Sequence, residues 1–399
     1  MNNSPTLRFK GFNANWELKK LNTILTESKI TGNNGANARK LTVKLWGKGV
    51  YPKDDTGSEN TNYFKRSAGQ IIYSKLDFLN CAFGIIPDSL DGYESTVDLP
   101  AFDVKNQYDS RFILEKIKQR NFYIKFGEQA DGSRKARRVH ADTFLNFEIY
   151  IPQLDEQQRI ADFTSSIDSL IEILYLKKKS IVEYKNIVRQ KIFSQQLRLK
   201  DEYGKNFPDW EERKLVDVLV ERKERNLEGI YNEVFSVAKE KGVVNQIEHL
   251  GRSYAAENLL NYKVTHPYDV LYTKSPTASF PYGIIKQNKT GRVGLVSTLY
   301  AVYIPDNKYL GSILHEYFSS WINTYNYLNP IVHKGAKNTI NIGNEDFLKG
   351  RKIKLPTSQT EQQKISSLFS SLDALIELSQ NKIIHAEYWK KGLVQKMFI

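Results

Sequence analysis

One long helical pattern occurs twice in this chain, and it constrains the fold more than any other feature. The first copy begins at Pro152 and extends to about Leu199, and the second begins at Pro356 and reaches Ile399. Matching positions keep a constant offset of 205 residues, as in Glu156/Glu361, Phe163/Leu368, Ile167/Leu372, Asp168/Asp373, Leu170/Leu375, Tyr184/Trp389 and Lys191/Lys396. A register kept over so many positions indicates an internal repeat.

Each copy opens with proline followed by acidic and polar residues, as helix N-termini do. Apolar residues then recur in steps of three and four, which predicts a narrow coiled-coil seam. The candidate pairing residues are Ile160, Phe163, Ile167, Leu170, Leu174, Ile181, Ile365, Leu368, Leu372, Leu375, Ile383 and Trp389. A helix of roughly 40 residues is about 60 Å long. A helix of that length needs a partner, so we predict that the two copies lie together. Packing of each helix on its own globular region is the alternative, and it suits the first turns only.

Shorter matches place a globular region before each helix. Phe12 to Glu17 corresponds to Phe207 to Glu211, and Ile71 to Lys75 corresponds to Val270 to Lys274. The chain is therefore predicted to consist of two tandem halves. The predicted segments are a first globular region at 1–151, a first helix at 152–200, a second globular region at 201–354 and a second helix at 355–399.

The globular regions mix strand and helix patterns, which predicts an α/β or α+β fold for each. Strands are expected where β-branched and aromatic residues cluster, at 70–73, 82–86, 122–126, 147–151, 270–273, 293–296 and 301–304. Helices are expected at 111–118 and 312–324. Exposed loops are expected at 28–40 and 53–61, which are rich in Asn, Gly, Asp and Ser.

The charge balance points to a polyanionic partner. The 399 residues carry a formal net charge of +13, which favours nucleic acid first and an anionic membrane surface second. No apolar run reaches the roughly 18 residues that a transmembrane helix needs, so the membrane alternative is disfavoured. Cys81 is the only cysteine, and the six histidines are scattered. These observations predict a cytoplasmic protein without disulfides or structural zinc.

Motifs for catalysis are absent from the sequence in the forms we sought. It contains neither a Gly-x4-Gly-Lys-Ser/Thr phosphate loop nor the Asn/Asp-Pro-Pro-Tyr/Phe box of amino-methyltransferases. Pro208-Asp209 followed by Glu221-Arg222-Lys223 matches a loose nuclease pattern, but the first half lacks the Pro-Asp pair at the matching place. A domain-entry turn and a solvated helix face explain these residues better.

Basic residues cluster before the last predicted strand of each globular region. Arginine and lysine can bind guanine edges or phosphates, and asparagine can read adenine. The candidate DNA-binding residues are Lys44, Lys48, Lys75, Arg134, Lys135, Arg137, Arg138, Lys274, Lys334, Lys337 and Asn338, with His140 beside the first cluster. Each of them alone is as well explained as a solvated surface charge. The recurrence of Gly-small-basic in both halves favours a shared role.

These motifs together resemble the DNA-specificity subunit of a type I restriction–modification system. The resemblance covers nearly the whole chain and rests on the paired Glu-Gln-Gln helix starts, the Trp-Glu starts of the globular regions, and Gln-Lys-Ile/Met-Phe at 190–193 and 395–398. It implies that the globular regions are target-recognition domains, each reading half of a split DNA sequence. It also implies that the helices pair as an antiparallel coiled coil and act as a ruler.

The resemblance further implies a protein that recognises DNA without catalysing a reaction. Two adenine methyltransferase subunits and the restriction/translocase subunits would be its partners, and S-adenosylmethionine, ATP and Mg would bind to those partners rather than to this chain. Two alternatives stay open: a stand-alone DNA-modifying enzyme with an unrecognised site, and a coiled-coil adaptor.

Overall fold

The computed structural model describes residues 4–55, 57–128, 137–252, 258–334 and 340–399, without the side chains of Leu250, Lys334 and Ile340. The chain divides into two compact units: unit 1 is Met1–Tyr175 with Asn381–Ile399, and unit 2 is Leu176–Gln380. Each unit therefore takes the beginning of one long helix and the end of the other. The compact units differ in this way from the four consecutive segments expected from the sequence.

Unit 1 is built from short strands and helices. Its strands are β1 (Glu17–Lys20), β2 (Leu25–Ser28), β3 (Thr31–Asn34), β4 (Leu41–Val43), β5 (Val50–Pro52), β6 (Asn62–Lys65), β7 (Ile71–Tyr73), β8 (Phe83–Ile85), β9 (Glu94–Ser95), β10 (Ala101–Val104) and β11 (Glu148–Ile151). Its helices are α1 (Leu21–Ile24), α2 (Ser110–Ile117), α3 (Arg120–Gly127), α4 (Ala141–Leu145) and the first part of α5 (Leu154–Phe193).

Unit 2 repeats this plan. Its strands are β12 (Glu211–Arg213), β13 (Leu219–Glu221), β14 (Phe235–Ala238), β15 (Gly242–Asn245), β16 (Lys263–Thr265), β17 (Val270–Thr273), β18 (Ile284–Gln287), β19 (Gly294–Val296), β20 (Tyr300–Pro305), β21 (His333–Lys334), β22 (Ile340–Asn341) and β23 (Ile353–Leu355). Its helices are α6 (Gln246–Leu250), α7 (Lys308–Tyr317), α8 (Trp321–Leu328), α9 (Asn344–Lys349) and the first part of α10 (Gln359–Met397). The predicted fold class, two tandem mixed regions each followed by a long helix, is confirmed.

A four-stranded antiparallel sheet organises each unit, in the order β2-β10-β7-β8 in unit 1 and β13-β20-β17-β18 in unit 2. Successive side chains of a strand point to opposite faces. In β7, Ile71 and Tyr73 join the main core, whereas Ile72 packs with the hairpin β4–β5. In β17, Leu271 packs with the hairpin β14–β15 in the same way. Both faces of the central strands are covered, which explains their unbroken apolar sequences.

The main core of each unit includes both long helices. In unit 1 it takes Ile160 and Ala161 from the start of α5, and Val394 and Met397 from the end of α10. The core of unit 2 correspondingly includes Val188, Ile192, Ile365, Phe369 and Leu372. The first turns of each helix thus pack on the preceding globular region, as the alternative interpretation expected, and the last turns of the other helix join them there.

A buried tryptophan ties the start of globular region 1 to the start of its long helix. Trp16 Nε1 donates a hydrogen bond to Glu156 Oε1 at 3.4 Å. Arg8 adds two charge-assisted bonds of 2.7 Å to the two oxygens of the same carboxylate. The pair is bidentate and only slightly exposed, a geometry that strengthens an ion pair.

The equivalent contact in unit 2 lacks the bidentate partner. Trp210 Nε1 donates to Glu361 Oε1 at 3.1 Å, but Arg198 Nη2 lies 3.8 Å from this carboxylate. Glu361 Oε2 is buried without a hydrogen-bond partner among the described residues. Burial therefore raises the pKa of Glu361, although Trp210 and Arg198 oppose the shift.

A second repeated contact joins each globular region to both long helices. In unit 1, Lys390 of α10 lies 2.6 Å from Asp168 of α5 and 3.7 Å from the buried Glu115 of α2. Burial alone would raise the pKa of Glu115, yet Lys118 and Lys390 lower it overall. Glu115 is therefore held as a buried carboxylate with cations beside it.

The same arrangement recurs in unit 2 with the roles of the two long helices exchanged. Lys185 of α5 lies 2.5 Å from Asp373 of α10 and 3.0 Å from Glu316 of α7, which is fully buried. Arg189 adds a further ion pair to Glu316 at 2.8 Å. Burial would raise the pKa of Glu316, but Lys185 and Arg189 outweigh it and lower that pKa.

Within each unit the two long helices contact each other and run in opposite directions. In unit 2, Lys178 bonds to Gln380 at 2.7 Å, and Lys185 further along α5 meets Asp373 earlier in α10. In unit 1, Tyr175 Oη donates to Glu387 at 2.8 Å. Pairing over the whole length of the helices stays a prediction.

The N-terminal segment bonds to the end of α10 as residues 194–200 bond to the end of α5. Leu7 N donates to Lys396 O at 2.9 Å, and Leu197 N donates to Lys191 O at 3.0 Å. Leu7-Arg8 and Leu197-Arg198 share their sequence, and Lys191 and Lys396 keep the helix offset. The two junctions are therefore equivalent.

Several sequence-based expectations for local structure are wrong. Residues 122–126 form part of α3 rather than a strand, because Phe122 and Phe126 lie one helical turn apart and both contact the ring of Phe147. The helix expected at 312–324 is two helices, since Ser320 caps the start of α8. The loop expected at 28–40 contains β3, which pairs with β6.

We predict that Glu156→Gln costs about 2–3 kcal/mol of stability, because it removes the charge from a bidentate, largely buried ion pair. Glu361→Gln should cost less than about 1 kcal/mol, since Trp210 keeps an acceptor and little charge pairing is lost. Thermal unfolding of the two full-length variants at pH 7 measures the difference. Equal losses would contradict the unequal charge pairing.

The pH dependence of stability gives a second test of the Trp210–Glu361 contact. A carboxyl group whose folded pKa is raised favours the protonated form, so its contribution to stability is largest below its ordinary pKa of 4.5 and falls as pH rises towards the folded value. Glutamine does not titrate. The melting temperature of Glu361→Gln relative to the unsubstituted chain should therefore improve between about pH 4 and 7.

Candidate nucleic-acid interface

The end of the central strand β7 brings together candidate residues that are far apart in the sequence. Lys75 follows this strand, and its backbone N–H donates to Asp98 O at 2.9 Å. Its carbonyl accepts from Val139 N at 3.1 Å. These two bonds place the segment beginning at Arg137 beside Lys75.

Two arginines and a histidine extend this edge. Arg138 Nε lies 3.3 Å from Asp98 Oδ1, and its side chain is 37% exposed. Arg137 and His140 are exposed. The edge of unit 1 formed by Lys75, Arg137, Arg138 and His140 is accordingly basic and accessible, with Asp98 as a local counter-charge; we call it the basic edge.

A cleft of about 320 Å³ opens beside the basic edge and is lined by Lys29, Arg66, Lys75 and His140, with Glu27 and Asp142 also in its wall. Arg66 is buried, and among the described residues it donates to three neutral oxygens: Ser95 Oγ at 2.8 Å, Ser28 O at 2.7 Å and Leu99 O at 3.2 Å. Burial lowers the pKa of Arg66 to about 10, so it stays charged at neutral pH. Among the acids, Glu27 acts most strongly on the Arg66 charge, and Glu27 is itself paired with Lys29 at 3.0 Å.

Unit 2 places Lys274 at the corresponding strand end, after β17. The side chain is half-buried, and burial lowers the pKa of Lys274, with Lys263 adding a smaller like-charge effect. Lys334 lies in β21, which pairs with β22, and the neighbouring His333 lies 3.2 Å from Asp346. The corresponding edge of unit 2 thus carries a lysine, a histidine and an aspartate.

Lys44 and Lys48 lie at the tip of the hairpin β4–β5, and both are exposed. Four further candidates fall outside the described residues: Arg134, Lys135, Lys337 and Asn338. The side chain of Lys334 is likewise outside the description. Their part in an interface stays a prediction.

The candidate pairing residues of the long helices occupy different environments. Ile160, Ile167, Ile365, Leu372 and Ile383 are buried, and Phe163, Leu174, Ile181 and Leu368 are half-buried. Leu170, Leu375 and Trp389 are exposed, with 46%, 48% and 52% of their surface accessible. The exposed three lie off the buried stripe, where positions such as Thr164 and Ser379 are buried instead.

Residues 100–184 match the family model described as the type I restriction modification DNA specificity domain. This segment therefore resembles a type I DNA specificity domain. The matched segment extends from β10 through α2, α3 and α4 into α5, so it includes Arg137, Arg138 and His140 of the basic edge and most of the first long helix.

Solved structures share the fold of this chain over nearly its whole length. A type I restriction–modification S subunit from M. genitalium is 13% identical, with a TM-score of 0.57 and 99% of each chain covered. A structure from a study of complex assembly and conformational transition of the type I R-M system is 15% identical, with a TM-score of 0.54, and the match covers 96% of this chain and 97% of that one. The resemblance inferred from the sequence is confirmed.

Among the described residues, no group of three or more His, Cys, Asp or Glu side chains could hold a metal ion. Asp209 and Glu221 of the loose nuclease pattern instead accept hydrogen bonds from Arg198 and Asn344. Glu221 ends strand β13, so the expected helix face at this place is wrong. In the described ranges, no helix is both long and apolar enough to span a membrane.

Sequence reasoning missed the cleft residues Lys29 and Arg66, because they meet Lys75 only through the sheet. It also missed Lys185 and Lys390, which bind the buried glutamates. The constant offset of 205 residues relates these two lysines and could have identified them.

Proposed function

We propose that this chain is a sequence-specific, non-catalytic DNA-recognition subunit that reads a bipartite target with its two globular regions. One observation carries the proposal: residues 100–184 of the first half match a DNA specificity domain, and the second half repeats the sheet, hairpin and helix contacts of the first. The candidate edges of the two units differ in their residues, as two different half-sites would require. The net charge of +13 suits a DNA partner.

The long helices are proposed to bind the partner subunits. Large apolar side chains remain exposed along them, among them Leu170, Ile173 and Trp389 in unit 1 and Tyr184 and Leu375 in unit 2. Rows of exposed apolar residues of this kind mark protein interaction sites. We assign them to two adenine methyltransferase subunits, with restriction/translocase subunits joining the assembly in the cytoplasm. S-adenosylmethionine, ATP and Mg would act on those partners.

The methylome of a host that expresses this chain with its modification subunit tests the proposal. Methylated adenines should fall in two short half-sites separated by a fixed gap. The purified chain alone should bind DNA in a salt-dependent way but transfer no methyl group from S-adenosylmethionine. Methyl transfer by the chain alone would support a stand-alone enzyme, and absence of DNA binding would support an adaptor.

The basic edge gives a more local prediction. Arg137→Ala with Arg138→Ala should weaken DNA binding: a lost base contact costs about 1–3 kcal/mol and relaxes one position of the first half-site, whereas a lost phosphate contact lowers the salt slope by about 1. Lys179→Ala, an exposed lysine on α5, is the matched control. Unchanged affinity and salt slope in the double variant would remove this edge from the interface.

The helices are also proposed to set the gap between the half-sites. Inserting four residues after Tyr175 and four after Gln380, where the two units divide the helices, lengthens each helix by about 6 Å with about 40° of rotation. One base pair rises about 3.4 Å, so the preferred gap should grow by one or two base pairs while both half-sites stay unchanged. Methylation mapping measures the gap.

A control insertion separates helix length from chain length. Four residues inserted after Glu202, in the exposed turn that follows α5, should leave the gap as it was. An unaltered gap in an active complex carrying the helix insertions would rule out the ruler.

A further inference from the structure

The tip of the hairpin β4–β5 presents two adjacent apolar side chains to solvent. Trp46 is 60% exposed and Leu45 is 38% exposed, and the exposed Lys44 and Lys48 flank them. Single exposed apolar residues are common on protein surfaces. An exposed Leu-Trp pair between two lysines is a more specific arrangement, because it places apolar bulk between two cations at a protruding turn.

Trp46 adopts a backbone conformation that is costly for its residue type. Its φ is +61°, in the left-handed region that glycine enters freely and a bulky residue rarely does. Strain of this kind persists where the surrounding structure fixes it, and it often accompanies function. The corresponding hairpin of unit 2 carries Lys239, Glu240 and Lys241 between its strands, so neither the aromatic residue nor the strain is a requirement of the shared fold.

The tip is firmly attached to the rest of unit 1. Trp46 N donates to Asn80 O at 2.8 Å, and Gly47 N donates to Cys81 O at 2.7 Å. The aliphatic part of Lys118 lies so close to Gly47 that a Cβ there would be 2.6 Å from Lys118 Cε. Lys118 is itself bound to Glu115 at 2.6 Å, within the charge cluster that joins the long helices. The tryptophan is thus held out on a rigid support.

We propose that Trp46 is a DNA-positioning residue whose indole inserts at a base step of the half-site read by unit 1, with Lys44 and Lys48 on the flanking phosphates. This inference rests on the proposed function. Proteins that deform DNA insert apolar side chains between base pairs and anchor them with cations, so the exposed pair and its lysines complement a duplex. A base step partly unstacked in this way adds sequence selection through DNA deformability.

The test uses the full-length chain and a 30-base-pair duplex that carries its mapped methylation site, with 2-aminopurine replacing each adenine of the site in turn. The unsubstituted chain should raise 2-aminopurine fluorescence at one step of one half-site. Trp46→Gly should abolish that rise and weaken binding by about tenfold, as loss of one stacked base does. Trp46→Phe should retain much of the rise, and Trp321→Ala, which removes a tryptophan 58% exposed in unit 2, should change neither signal.

Stability separates a binding role from a structural one. Glycine is favoured at a φ of +61° and the lost side chain is exposed, so Trp46→Gly should melt at or above the temperature of the unsubstituted chain. A lower melting temperature with unchanged fluorescence would make Trp46 a structural residue and overturn the proposal.

Two other outcomes also overturn it and differ from failure of the proposed function. Salt-dependent binding by the unsubstituted chain with no fluorescence rise at any step would leave DNA recognition intact and exclude the wedge. Unchanged DNA binding by Trp46→Gly with impaired assembly of the methyltransferase subunit would make the tip a protein docking site. Absence of DNA binding by every form, the unsubstituted chain included, would overturn both proposals.

Discussion

A buried carboxylate fixes the geometry of each unit. Glu115 and Glu316 lie on short helices behind the sheet, and each is matched by a lysine from one long helix that also reaches an aspartate on the other. Leaving such a carboxylate buried without its cation would cost several kcal/mol. Without the long helices, Glu115 would keep only Lys118 as a close cation, and Glu316 would keep only the more distant Lys289. The contact therefore favours one docked arrangement over many, in addition to the non-directional apolar core around it.

The recognition surface depends on this foundation. Lys118 packs against the hairpin tip at Gly47 and forms an ion pair with Glu115. The basic edge is held by backbone hydrogen bonds to Lys75 at the end of the central strand. The candidate recognition side chains, which differ between the two units, lie on edges and turns. The contacts that the two units share lie in the interior. A framework of this kind can present different residues in its two copies without altering how either copy is held.

Much of the fold followed from local pattern. The repeat, both long helices and the central strands were predicted because their apolar patterns extend over many residues, and β17 agrees with the expected 270–273. The strand prediction for residues 122–126 failed because a short aromatic run is compatible with both a strand and a helix. Only the contacts of Phe122 and Phe126 with Phe147 distinguish the two. The meeting of Lys75 with Arg138 could not be predicted, since it depends on backbone bonds between segments about sixty residues apart. The exposure of Leu170 and Leu375 was missed for a related reason. The apolar spacing of a helix shows which residues could pack, but not which of them another element covers.

The composition of the units has a consequence for ancestry. Each unit takes the start of a long helix from one repeat and the end of a long helix from the other, and the two junctions at Leu7/Lys396 and Leu197/Lys191 are equivalent. Two copies of a half-length chain that exchanged helix ends would reproduce both units, as in a domain-swapped dimer. A single copy would lack the helix end that supplies its lysine to the buried glutamate. The present chain has the organisation of such a pair fused end to end, which allows its two globular regions to diverge independently while their shared framework stays fixed.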